Sequence, residues 1–372
     1  MHKFFSKNCQ LSIHKTSYLC NDKELNTMID SSKVIIESVV IHQIGSRSEG
    51  ESMRFSKNLF KLQDEDVVGD VLKNYFFNAF KSEEYFNFID KDEPNYLNNI
   101  VNDVFDNPQS FYENSIKAAE FLFEQSNHPK IKGGEFYMVL FRDCVIDGEI
   151  ADALGIFKSE NKDTFLKVYL KDENFELGAQ EGINIKKLDK GCLVFNTERE
   201  SGYKIRMVDN INKGNEARFW KDDFLGLQPR EDNYYFTRDY LDLCKNFAGQ
   251  VYNEEHDVPR PEQANFLNRS YEFFNKKDNF NQFDFEREVT QMPEITEAFN
   301  DFKSQLEEER AIAFNDSFDI SKSAVKSEKK GFRSVLKLDK NFHVYIHGCQ
   351  NYIERGEEKG MNFYKLYFRN ES

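Results

Sequence analysis

The chain has 372 residues, of which 39% are hydrophobic, 15% aromatic and 31% charged, with a formal net charge of −15. Its 37 phenylalanines supply enough apolar area for a sizeable core, which excludes wholesale disorder. The acidic balance excludes a protein that coats nucleic acid with its whole surface, so the distribution of charge matters more than its total.

No stretch reaches about 18 uninterrupted apolar residues, so no transmembrane helix is expected. Lys3 and Lys7 are not followed by the apolar run of a signal peptide, and the expected compartment is the cytoplasm. The six cysteines, Cys9, Cys20, Cys144, Cys192, Cys244 and Cys349, form no C-x-x-C pair and read as free thiols, several of them buried.

The first thirty or so residues show no clear periodicity. Val34 to Ile44 is β-branched and reads as a largely buried strand, followed by a turn from Gly45 to Gly50. Val68, Val71, Leu72, Tyr75, Phe76, Ala79 and Phe80 keep helical spacing. A second helix is expected from Ser110, where Ser110 and Glu113 match the capping-box pattern. Glu135 to Ile146 is a long strand-like run ending at the turn signal Asp147-Gly148. Ala153 to Lys158 and Thr164 to Leu170 continue the meander, and Gly191 to Asn196 with Tyr203 to Val208 flank Ser201-Gly202 as a hairpin. These patterns predict an α+β protein, with an antiparallel sheet and attached helices over about residues 34–210.

From Trp220 the pattern turns helical. Leu241, Cys244, Ala248 and Val251 share a face behind Thr237 as the expected N-cap. Pro261 and Pro293 each suit a first helical position. Ala264, Leu267, Tyr271 and Phe274 line up behind the first, and Ile295, Phe299, Phe302 and Leu306 behind the second. This section is acidic, and its helices are expected to carry a solvated acidic face. The domain reading is therefore an α+β unit over 1–215, an acidic helical section over 216–320, and a basic loop with a small C-terminal β-hairpin unit over 321–372. The last contains strand-like runs at Ser334 to Leu338, Phe342 to His347 and Met361 to Phe368.

The charge reverses after Ile320. Lys322, Lys326, Lys329, Lys330, Arg333, Lys337 and Lys340 face only Glu328 and Asp339. Ser321, Ser323, Ser327, Gly331 and Ser334 are interleaved with them, and such small and hydroxyl residues let a backbone approach phosphates closely. Lys322, Lys326, Lys329, Lys330 and Arg333 are the candidate nucleic-acid contacts. Three to five such contacts imply a log affinity against log salt slope of roughly −3 to −4.5. The same segment also reads as a solvated linker, and the two readings are compatible. No zinc-finger spacing or RNP-type aromatic motif is present to read bases.

Other constellations carry less. Gly133-Gly134-Glu135-Phe136 falls one residue short of a cyclic-dinucleotide-synthase signature and reads as a turn into a buried strand. His343 and His347 lie in a strand-like run, roughly 13 Å apart on one face, too far to chelate one ion. Asp143, Asp147, Glu149 and Asp152 crowd a hairpin, and clustered carboxylates can hold Mg²⁺ for phosphodiester cleavage, but solvated turn acids explain them as well. No P-loop, dinucleotide fingerprint or nucleophile elbow is present, so no enzyme activity and no cofactor or metal is expected.

Five stretches together resemble the bacterial nucleoid-associated protein family of the NdpA/YejK type. They are Val39 to Gly45, His128 to Asp143, Ala153 to Val168, Arg218 to Leu227, and the ending Lys337 to Gly348 with Lys359 to Phe368. The resemblance implies a cytoplasmic protein of the bacterial chromosome that binds nucleic acid and has no established enzymatic activity. It supplies no residue-level site. The leading expectation is a non-enzymatic protein that binds DNA with low sequence specificity through local basic surface, with RNA as the other candidate. A second expectation is an interaction module whose acidic stretch, Asp222 to Asp319, binds a basic DNA-processing protein. A third is a metal-dependent nuclease using Asp143, Asp147 and Glu149. No membrane partner is expected, and a homodimer is a reasonable assembly for a nucleoid protein.

Overall fold

The computed structural model describes residues 29, 33–62, 67–89, 94–211, 218–332, 334–338, 342–346 and 353–368. Its centre is an eight-stranded sheet with every neighbouring pair antiparallel. The strands are β1 (Ile35–Ile44), β2 (Arg54–Phe55), β3 (Phe86–Phe88), β4 (Gly134–Ile146), β5 (Glu149–Ser159), β8 (Lys190–Phe195), β9 (Lys204–Asp209) and β10 (Leu227–Pro229). They run in the order β10-β3-β9-β8-β5-β4-β1-β2. Helices and the sheet together make an α+β architecture, as the sequence pattern implies.

The sheet is covered on both faces, which explains the unbroken apolar run of β4: a strand with no solvated side has no polar positions to alternate. Phe136, Met138 and Leu140 point to one core, with helix α2 (Tyr96–Asp106), helix α3 (Phe111–Gln125) and the π-helical turn Phe219–Leu225. Tyr137, Val139 and Phe141 point to the other, with helix α1 (Val67–Phe77). Asp147 and Gly148, with φ of 49° and 84°, close the β4–β5 hairpin as the two-residue turn their sequence announces.

Several local expectations are corrected. Ser110 does not cap α3 with its side chain; its Oγ donates back to Asp103 and Asn107 carbonyls, because a 3₁₀ turn (Pro108–Ser110) already delivers the chain in helical conformation. Helix α2 was not anticipated, although Asn95 and the buried Leu97, Ile100, Val101 and Val104 carry its signal. Asn95 caps α2 through Asn98 N and also donates to the Leu225 and Gly226 carbonyls, tying the π-helical turn to the sheet layer. Thr164 to Leu170 does not continue the meander. It forms β6 (Asp163–Lys171), which pairs only with β7 (Asn174–Gly182), a ribbon separate from the main sheet. The chain beyond 216 still belongs to the sheet layer at first, since Trp220, Phe224, Leu225 and Leu227 are buried in its core.

The third core is helical and aromatic. It gathers helix α4 (Asn233–Gln250), helix α5 (Arg260–Lys276), helix α6 (Pro293–Arg310) and a small ribbon of β11 (Asn279–Asn281) with β12 (Ser317–Asp319). Of the faces expected from spacing, Leu241, Cys244 and Ala248 on α4 and Ile295, Phe299, Phe302 and Leu306 on α6 are buried, while Val251 beyond α4 and Leu267 and Tyr271 on α5 are half-buried beside the buried Ala264 and Phe274. Thr237 is not the cap of α4. Asp232 is, through Tyr235 N at 3.0 Å, while the Thr237 hydroxyl sits one turn inside and donates to Asn233 O. Two further hairpins follow, β13 (Ser334–Leu338) with β14 (Phe342–Ile346), and β15 (Ile353–Glu358) with β16 (Met361–Leu366). Cys144, Cys192 and Cys244 are buried free thiols, while Cys9, Cys20 and Cys349 lie outside the described residues.

Candidate nucleic-acid interface

The basic segment is folded, which corrects the linker reading. Ser321 Oγ accepts a hydrogen bond from Ala324 N and starts helix α7 (Lys322–Glu328), and Ser321 N donates to Thr237 Oγ1 at 2.9 Å. Ala324 and Val325 are fully buried, and Phe332 is buried just beyond the helix. Two adjacent small apolar residues in a charged stretch, with Phe332 beyond them, are enough to pin this short helix to the aromatic core. The charge pattern alone hides that anchor.

This anchoring divides the expected site residues. The Lys322 ammonium donates to the carbonyls of Phe274, Asn275 and Lys277 and lies 3.5 Å from Asp278. It therefore caps the C-terminal end of α5, where unsatisfied carbonyls and the negative end of the helix dipole favour a cation. Lys326, Lys329 and Lys330 are exposed, and none is ion-paired with a described residue. Glu328, the one acid among them, is held by Lys245 at 2.6 Å, so its charge is compensated within the fold. Arg333 lies outside the described residues. Substituting Lys322 by alanine is expected to lower stability by about 1 kcal/mol while leaving the salt dependence of nucleic-acid binding nearly unchanged. Thermal unfolding and a salt titration on the same variant check both halves.

A second basic cluster escaped the sequence reading. Lys81, Lys186 and Lys187 line an open cavity of about 490 Å³ together with Asn78, Asn161 and Asn210. The adjacent lysines were visible in the sequence, but their meeting with Lys81 depends on α1 packing over the end of β8. At the cavity wall Asp189 accepts the backbone N–H groups of Glu160 and Asn161 at 2.6 and 2.9 Å.

The acidic hairpin does not assemble a metal centre. Asp147 pairs with Lys204 at 2.6 Å and accepts the Tyr85 hydroxyl at 2.8 Å. Burial opposes its charge, but these hydrogen bonds outweigh that and hold its carboxyl below the usual range. Asp152 is taken by Arg142. Among the described residues no three His, Cys, Asp or Glu side chains stand where they hold one ion. His343 lies in β14 as its pattern implies, and His347 lies outside the described residues. Gly133 and Gly134 form no turn; Gly134 opens β4 itself, and both are close-packing positions, since a Cβ on Gly134 would lie 2.0 Å from the Ser159 carbonyl oxygen. No helix among the described residues is long and apolar enough to cross a membrane.

The strongest buried charge arrangement was also missed. Lys158 and Lys190 are opposite each other on β5 and β8 with fully buried side chains. Lys158 meets Glu160 at 2.9 Å and the Lys132 carbonyl at 2.6 Å. Lys190 meets Asp209 at 3.1 Å and Glu160 at 3.7 Å. Burial lowers the pKa of Lys158, and Glu160 opposes that shift. The cluster is sealed in the fold and offers no surface to a polyanion.

No curated protein matches the chain. The model of one protein family, described as nucleoid-associated protein YejK, matches residues 40–361. That span covers nearly all of the sheet layer and the whole helical core with the basic helix anchored to it, and the chain belongs to the nucleoid-associated protein YejK family.

Proposed function

We propose that this protein binds DNA with low sequence specificity, through basic surface local to an otherwise acidic molecule. The contacts are Lys326, Lys329, Lys330 and Arg333, with Lys322 holding the helix that presents them. The observation that carries the reading is the exposed trio of Lys326 on α7 with Lys329 and Lys330 in the turn just after it: three ammonium groups without ion-pair partners among the described residues, on a helix anchored to the aromatic core. Lysines at such a surface act as point charges toward phosphates and carry no base readout. The family membership supplies the nucleoid context.

Fluorescence anisotropy of a labelled duplex at several salt concentrations tests it. Each phosphate contact contributes about −0.9 to the log–log slope. Replacing Lys326, Lys329 and Lys330 with alanine together is expected to make the slope shallower by about 2.7 and to weaken binding at low salt. An unchanged slope removes these residues from the interface. The same titration with RNA decides the nucleic acid. A second reading rests on the exposed Glu294, Glu297, Asp301 and Glu308 of α6. There the acidic helix recruits a basic DNA-processing protein, and purified protein shows no DNA affinity even at low salt.

A further inference from the structure

The β6–β7 ribbon carries an apolar face that nothing in the chain covers among the described residues. Directly paired residues of an antiparallel ribbon share a face. The register places Leu166 opposite Ala179, Val168 opposite Leu177 and Leu170 opposite Phe175. All six therefore lie on one side, and the five larger ones are between 60% and 80% exposed. The opposite side is different in kind. Lys167, Glu176, Gln180 and Lys171 lie there with Phe165 and Tyr169, a Cβ on Gly178 would lie 3.3 Å from the Tyr169 ring, and Lys171 pairs with Glu176 at 3.4 Å. Phe165 and Tyr169 are half-exposed among these polar groups, so this side is mixed, whereas the other carries the larger continuous apolar area. An isolated two-stranded ribbon is marginal in water, and its stability calls for a covering layer.

We propose that the covering layer is the same ribbon of a second copy of this chain, packed face to face about a two-fold axis. Area supports that occupant. The exposed part of the six side chains amounts to roughly 700 Å² per copy, or about 1,400 Å² in total, within the range of a specific interface. Shape supports it too, since two apolar ladders of equal length and the same handed twist are self-complementary in an isologous contact. Charge fixes the direction. The ribbon tip holds Asp172 and Glu173, and four residues past its root come Lys186 and Lys187 beside the open cavity. When the two ribbons run antiparallel, the acidic tip of each reaches the lysines at the root of the other. A parallel arrangement would bring like charges together at both ends.

Sedimentation equilibrium of the full chain over a range of protein concentrations tests this. The wild type is expected to be a dimer that persists in high salt, because the contact is apolar. Replacing both Val168 and Leu177 with glutamate places charges at the centre of the face and is expected to weaken association by about hundredfold or more. These residues are exposed within one chain, so circular dichroism and Trp220 fluorescence should be unchanged. Lys167→Glu on the opposite face should leave the dimer intact. As an independent readout, Val168→Cys should give a new intermolecular disulfide on oxidation, and Lys167→Cys should not. A wild type that stays monomeric overturns the proposal, including one whose ribbon binds lipid vesicles or another protein instead. So does a dimer that survives the double glutamate variant.

Discussion

Replacing Lys190 with methionine is expected to destabilise the sheet by about 3–5 kcal/mol, because it breaks a buried ion pair and leaves the partner charge behind. The Lys190 side chain is fully buried, and its ammonium stands 3.1 Å from Asp209 and 3.7 Å from Glu160. Methionine keeps most of the volume, so the loss is electrostatic and not a cavity. Lys158 remains to serve Glu160 at 2.9 Å, which places the damage mainly at Asp209. Adding Asp209→Asn to the same chain should then recover part of the loss, since a neutral amide costs less to bury than a carboxylate that has lost its nearest ammonium. Trp220 is the only tryptophan of the chain and is buried in the sheet core, so its fluorescence during urea unfolding follows this layer specifically. A loss under about 1 kcal/mol, or no recovery in the double variant, contradicts the account.

Alkaline pH is expected to unfold the protein cooperatively. Tyr75, Tyr85, Tyr137, Tyr203 and Tyr240 are all buried, and burial is the main cause that raises each phenol above its ordinary value. Tyr75 and Tyr203 are pushed up to about 12 from 10.0. The unfolded chain ionises first, so it binds fewer protons than the native state above pH 10, and stability falls as pH rises. Each such tyrosine removes about 1.4 kcal/mol per pH unit between its unfolded and folded pKa. Five together remove several kcal/mol per unit, comparable with the whole stability of a domain. Cys144 and Cys244, pushed up to about 12 from 9.0 by burial, act in the same direction from pH 9. Lys158 acts in the opposite direction, because its lowered pKa makes the unfolded chain the better proton binder, but it is one group against many. Tyrosinate absorbance should show exposed tyrosines titrating smoothly, then a sharp rise that coincides with the change in Trp220 fluorescence. A smooth titration of all 17 tyrosines with the fold intact would contradict this.

Much of the architecture was written in local pattern. The β-branched run of β1, the unbroken apolar run of β4 and the Asp147-Gly148 turn each encode their own geometry, because side-chain period and positive φ are properties of a few consecutive residues. The buried faces of α4 and α6 were legible for the same reason, and the order of segments along the chain carried the family. Tertiary structure decided the partners. Alternation in β6 reveals two faces, yet nothing in it says that β7, and not the main sheet, is its neighbour. Leu227–Pro229 is too short for any periodic signal and exists as a strand only because β3 is there to pair with it. Thr237 and Asp232 are both good caps, and the choice between them fell to the hydroxyl's second partner, the Ser321 N–H brought from 84 residues away. Charge was the least legible quantity. Lys158 and Lys190 look like any other lysines in the sequence and are sealed in the sheet, while Lys322 belongs to a basic run and is consumed at the end of α5. Sequence fixes how many charges a segment carries, but the net field at a surface depends on which of them the fold pairs internally, and that is set by contacts between residues far apart in the chain.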